Sequence, residues 1–159
     1  MRRTRMHEAA NNGVHLSASA RGEQSIAALE RAISIAAEAH AGQQDKANAP
    51  YVLHPLRVML NVESISEKIV AVLYDVVEDC PGWTLERLRE EGFAEEIVQS
   101  VASVTKRDGE QNGDFVLRAA AHPLGRSVKI ADLGTIWICR GLRARMDETT
   151  SGLNAIGRR

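Results

Sequence analysis

The sequence predicts an all-α fold in a single domain, and three observations carry that expectation. Apolar residues recur at helical spacing in one segment after another. Ala, Leu, Glu and Arg are abundant while aromatics make up only 4% of the chain, a composition that favours helix over sheet. No run alternates apolar and polar residues as a half-buried strand does, and no internal repeat is visible.

The elements follow in order. Residues 1–24 are polar, rich in Asn, Ser and Arg, and without sustained periodicity, so they read as a disordered extension or a product of start-codon choice. From Ser25, a possible N-cap, Ile26, Leu29, Ile33 and Ala36 mark a helix to His40. A polar loop from Gly42 to Pro50 follows. Pro55 suits the first turn of a helix running to about Asn61. Ser66 caps the next, whose buried stripe is Ile69, Val70, Leu73, Val76 and Val77. "CPGW" breaks it. Thr84 caps a short helix to about Glu91, and Ala94–Val104 forms another. Beyond the loop "KRDGEQNG", Asp114–Ala121 is helical, "HPLG" is a turn, and "SVKIADL" opens the last helix.

Composition narrows the function classes. A length of 159 residues allows one real core, and a formal net charge of -1 gives no global attraction to nucleic acid or anionic membrane. Basic clusters at Arg2, Arg3 and Arg5 and at Arg140, Arg143, Arg145, Arg158 and Arg159 read as solvated termini. No apolar run approaches the ~20 residues of a membrane helix, and the N-terminus lacks a signal-peptide core. Cys80 and Cys139 form no metal-type spacing, which suits a reduced, cytoplasmic protein.

The chemistry concentrates in "LYDVVEDC". Asp75, Glu78 and Asp79 share one face of a helix that is apolar over most of its circumference. Buried carboxylates need a cation or hydrogen-bond partners, and a divalent metal supplies both needs at once. His54 begins the preceding helix, where a short antiparallel connection would bring it near Asp75. Imidazole with carboxylates suits Mn, Fe or Zn. Asp132, in "VKIADL", is another acid in an apolar setting; it caps a helix, pairs with Lys129, or joins the same cluster.

Three stretches, "AHAGQQDKANAPYVLHPLRV", "AVLYDVVEDCPGWTLERL" and "VKIADL", together resemble the metal-dependent HD hydrolase domain of RelA/SpoT-type alarmone (ppGpp) hydrolases, the enzymes of the stringent response. The likeness is to the short stand-alone HD proteins often labelled GTP pyrophosphokinase. It covers roughly Ile26 to Leu133 and implies an HD-domain-like helical bundle over residues 25–133. It also implies a Mn²⁺-dependent phosphohydrolase that removes pyrophosphate from the 3′ position of a guanosine alarmone. By the resemblance, His54, Asp75 and Asp132 are metal ligands, and Glu78 and Asp79 orient the attacking water and handle protons. Lys46 is a basic residue near the nucleotide, with Asp45 beside it. Only the hydrolase-like region is matched, so no synthetase activity is implied. The expected partner is a guanine nucleotide alarmone or a related phosphorylated nucleotide, with neither nucleic acid nor membrane.

Three positions depart from the family pattern. Tyr74 stands where the family has a metal-binding His, and a phenol, with its pKa of ~10, is a poor ligand. Asp45 stands where the longer enzymes carry Arg, placing negative charge near a phosphate-rich substrate. After Leu133 the short family members continue with an acidic residue and then Asp-Asn-Met-Asp-Leu-Ser-Arg, whereas this chain reads "GTIWICR". Read one base out of frame, codons for these residues can spell the family's sequence, so residues 134–159 read as an out-of-frame tail. Two functions follow: a metal-dependent phosphohydrolase impaired by Tyr74 and the altered C-terminus, or a catalytically inactive remnant that serves as a nucleotide-binding module.

Overall fold

The computed structural model describes residues 18–135. The expected out-of-frame tail lies, past Thr135, outside the described residues, as does the expected disorder of residues 1–17. Seven helices account for the fold: α1 (Ala18–Ala39), α2 (Leu53–Leu60), α3 (Ile65–Asp79), α4 (Leu85–Glu90), α5 (Glu95–Val104), α6 (Asn112–Ala121) and α7 (residues 123–135). Among the described residues there is no strand beyond one isolated bridge between Gln44 and Pro50. No described helix is long and apolar enough to cross a membrane.

The order and number of helices match the sequence reading, but three boundaries move. Helix α1 begins at Ala18, so Ser25 lies within it rather than capping it, and the expected boundary at residue 24 falls inside a helix. The cap of α3 is Ser64, not Ser66. Ser64 Oγ accepts from the Glu67 N–H and the Glu67 carboxylate accepts from the Ser64 N–H, a reciprocal capping box. "HPLG" is not a free turn, because Pro123 begins α7, where its missing N–H costs nothing. Thr84 does cap α4, accepting from the Arg87 N–H at 3.2 Å.

Helix α3 is the centre of the domain. It packs on α1, α2 and α5, and residues Ile69 to Val76 are all buried. Such burial on every side explains why its sequence, between a polar first turn and the acids of its last, is apolar apart from Tyr74 and Asp75. Leu73, fully buried, contributes about 2 kcal/mol by leaving water. Gly82, at φ 84, turns the chain sharply after α3 in a conformation that favours glycine. Helix α7 is laid against α5 at Gly125, where a Cβ would stand 2.2 Å from Ser103 Oγ. That contact turns Val128, Ala131, Asp132 and Thr135 inward, one face of α7 at helical spacing.

Candidate functional site

Three helices bring four polar side chains to one point. His54 comes from the first turn of α2, Tyr74 and Asp75 from the middle of α3, and Asp132 from the buried face of α7. His54 Nε2 is the hub. It lies 3.5 Å from Asp75 Oδ2, 3.3 Å from Asp132 Oδ1 and 3.1 Å from the Tyr74 hydroxyl. Lys129 Nζ donates to the other Asp132 oxygen at 2.7 Å, one helical turn away. Tyr74, Asp75 and Asp132 are each no more than 5% exposed.

The electrostatics are uneven across this centre. Burial pushes the Asp75 carboxyl up to about 7, because the attraction of His54 does not offset lost hydration and the negative charges of Asp132 and Asp79. Asp75 Oδ2 has no hydrogen-bond partner. Asp132 is held below the ordinary carboxylate range despite its burial, through its hydrogen bonds to His54 and Lys129. The hydrogen bond to Asp132 raises the His54 imidazole, against the opposing effect of burial. Burial and the neighbouring carboxylates drive the Tyr74 phenol far upward, so it stays protonated.

Of the three α3 acids expected to be buried together, only Asp75 is. Glu78 and Asp79 are exposed at the last turn, where α3 emerges from the core, and both have neutral donors. The Lys106 backbone N–H donates to Glu78 at 3.0 Å, and the Tyr51 hydroxyl donates to Asp79 at 3.1 Å. Desolvation is therefore the burden of one carboxylate rather than of three. Lys46 is exposed on the loop before α2. Asp45 organises that loop, its Oδ1 accepting from the N–H groups of Ala47 and Ala49 at 2.7 and 3.0 Å. The side chain is an Asx-type turn former, whatever else it does.

Sequence reasoning missed several residues that hold this region in place. Tyr51 stands between two imidazoles, 4.9 Å from the His40 ring and 6.0 Å from that of His54. His40 is buried beneath it, with Nδ1 2.9 Å from Gln43 Oε1 and 3.4 Å from Cys80 Sγ. Arg118 ties α6 to the end of α5 through the Ala102 and Thr105 carbonyls. The aromatic and the His flanking a Pro-bounded loop were visible signals for Tyr51 and His40. Nothing local marks Arg118 out from the other arginines.

The donor set bears on whether a divalent cation fits. One imidazole nitrogen and two carboxylates match the hard-to-intermediate ligands of Mn²⁺ or Zn²⁺, and the unpartnered Asp75 Oδ2 is an acceptor awaiting positive charge. Among the described residues no trio of His, Cys, Asp or Glu is arranged ready-made around a cation position. His54 Nε2 itself stands between the two carboxylates. The three donor types are chemically suited to a divalent ion, and the protonated phenol of Tyr74 is not.

Comparison with known proteins gives a consistent picture. No protein-family model matches the chain. It is 34% identical over 121 residues to the "Probable GTP pyrophosphokinase" of Mycobacterium leprae, covering 67% of this chain and 15% of the relative. It is 30% identical over 128 residues to the guanosine-3′,5′-bis(diphosphate) 3′-pyrophosphohydrolase of Aquifex aeolicus, covering 70% of this chain and 18% of the relative. The chain thus spans between 15% and 18% of the length of these two relatives. Its fold is similar to the solved structure of a metazoan ortholog of SpoT that hydrolyzes ppGpp. There the TM-score is 0.57 at 24% identity, over 67% of this chain and 66% of that one. The fold and these relatives agree: the chain belongs to the RelA/SpoT-type family, in its HD-type, hydrolase-like region.

Proposed function

We propose that the chain is a phosphohydrolase of the HD type acting on a guanosine alarmone such as ppGpp, with Mn²⁺ held by His54, Asp75 and Asp132. The observation that carries this reading is the meeting of those three side chains, from three separate helices, at His54 Nε2. Bound there, Mn²⁺ supplies Lewis acidity toward water and toward phosphoryl oxygens. The protein's own groups do the rest. Glu78 and Asp79, exposed one turn beyond Asp75, accept and return protons at the mouth of the site. The Lys106 N–H and the Tyr51 hydroxyl fix their orientation. Lys46 supplies positive charge toward the phosphates. Tyr74 weakens the centre, since its phenol replaces a fourth donor, and Asp45 adds repulsion toward a highly charged substrate. The buried free thiol of Cys80 is consistent with a reducing, cytoplasmic setting.

Tyr74 also favours a second reading. Its hydroxyl lies on the His54 nitrogen at 3.1 Å, the atom a cation would need. On that reading the chain binds a nucleotide without hydrolysing it. Mn²⁺-dependent release of pyrophosphate from ppGpp, abolished in Asp132→Ala, supports the first. Nucleotide binding with no release at high protein and metal concentration sinks it and leaves the second.

A further inference from the structure

Another polar concavity shares no lining residue with the His54 centre. It is a cleft of about 430 Å³ beside α5, α6 and the start of α7, lined by the polar residues Arg89, Gln99, Ser103, Arg107, Arg118 and His122. Its volume falls in the range of small-molecule sites. No carboxylate lines it. The acids paired with two of its arginines are not among its walls: Glu95 accepts from Arg89 at 2.8 and 2.9 Å, and Glu110 from Arg118 at 2.8 and 2.6 Å. These pairs fix both guanidiniums as walls.

Two groups in the cleft are not used up in this way. Arg107 is exposed, and among the described residues its guanidinium has no hydrogen-bond partner. The carboxylate it interacts with, Glu110, is already held by Arg118. The His122 ring also lines the cleft, while its Nδ1 is buried against protein with no hydrogen-bond partner among the described residues, which leaves Nε2 as the nitrogen that can face a ligand. The close approach of α7 to α5 at Gly125 sets the wall beside Ser103.

We infer that this cleft binds a small phosphate-bearing ligand, with the Arg107 guanidinium and the His122 ring as its principal contacts. A guanidinium matches phosphate oxygens with two parallel N–H donors, and a wall free of carboxylates does not repel them. The inference does not depend on hydrolytic activity at the His54 centre.

The test is calorimetric titration of metal-free, EDTA-treated protein with inorganic pyrophosphate and, separately, with GMP. Binding of either supports the site; pyrophosphate alone assigns it to free phosphate chemistry, and GMP alone to a nucleotide. Arg107→Ala should weaken binding at least ~10-fold, and His122→Ala should also weaken it, while Lys46→Ala, at the His54 centre, leaves it unchanged. Arg107 is exposed, so its variant should retain the wild-type circular dichroism spectrum. No binding of either probe up to ~10 mM would overturn the inference. So would loss of binding in Lys46→Ala with Arg107→Ala unaffected, because the anion would then sit at the His54 centre.

Discussion

Arg118 and Asp75 are both ionisable groups drawn into the helical domain, and their surroundings treat them oppositely. Arg118 donates to both oxygens of Glu110 and to the carbonyls of Ala102 and Thr105, with all four distances between 2.6 and 3.0 Å. Each of its three nitrogens donates, and it holds Glu110 down at about 2. Asp75 sits beside an imidazole, a phenol and a second carboxylate, and one of its oxygens has no hydrogen-bond partner while its carboxyl is pushed up to about 7. A saturated cluster is what a fold needs to hold loops together. An under-satisfied one is a cost to the fold, and such costs collect at functional sites.

The sharpest way to break the comparison is to remove Arg118. Arg118→Ala leaves two carbonyls without their side-chain donor and Glu110 with only the Arg107 N–H, and should lower Tm by roughly 10 °C. Arg118→Lys keeps the charge but not the fork, and should fall between the two. A wild-type Tm in Arg118→Ala, measured by thermal circular dichroism, would mean that the cluster is not structural.

Asp75→Asn should move stability the other way. The folded-state pKa of Asp75 is raised to about 7, so the folded chain holds a proton that the unfolded chain has already lost. Stability from this group is therefore full at acid pH, below its ordinary value, and is lost as pH rises through about 7. The raised His54 pKa acts in the same direction, and the lowered Asp132 pKa acts in the opposite one, at acid pH. The amide is never ionised. In metal-free protein Asp75→Asn should thus raise Tm by about 5 °C at pH 8, and by much less near pH 5. A destabilised variant at both pH values would show that Asp75 is as well satisfied as Arg118.

Tyr74→His sharpens the same contrast through metal. It exchanges a phenol for a neutral imidazole donor beside the orphaned carboxylate, and should tighten Mn²⁺ binding at least ~10-fold, about 1.4 kcal/mol. Calorimetry reads this directly, whether or not the chain is active. Equal affinity in wild type and variant would mean that the ion, if bound, lies elsewhere.

How much of this was legible beforehand differs between the two regions. The Asp75 centre could be read because its signal is chemical and local: acids in the apolar runs "VLYDVV" and "VKIADL", and a His beside Pro55. What could not be read was that Glu78 and Asp79 escape burial, since that depends on where α3 leaves the core. The Arg118 cluster was invisible because its partners, at residues 102, 105 and 110, are backbone groups and a loop acid that only tertiary packing brings within reach. Helix starts differ, because their signal was local. Ser64 with Glu67 three residues on is a capping-box pattern already present in the sequence, which Ser66, followed at that spacing by Ile69, lacks. Helix α1 extends to Ala18, and the glycine it contains, Gly22, is a poor helix former that hides this extension in the sequence.

The smallest expected effect tests what burial contributes to the comparison. Arg89 and Glu95 repeat the geometry of Arg118 and Glu110, with N–O distances of 2.8 and 2.9 Å, and Glu95 is likewise held at about 2 by its hydrogen bonds to Arg89. The difference is exposure: the side chains of Arg89 and Glu95 are 42% and 54% exposed, those of Arg118 and Glu110 20% and 12%. Water replaces the lost partner in an exposed pair, and ions screen the attraction that remains. Arg89→Ala should therefore shift Tm by no more than about 2 °C, and the shift should shrink further in 1 M salt. A loss as large as that of Arg118→Ala would mean that bidentate geometry alone stabilises this fold. The contrast between Arg118 and Asp75 would then rest on hydrogen-bond count rather than on burial.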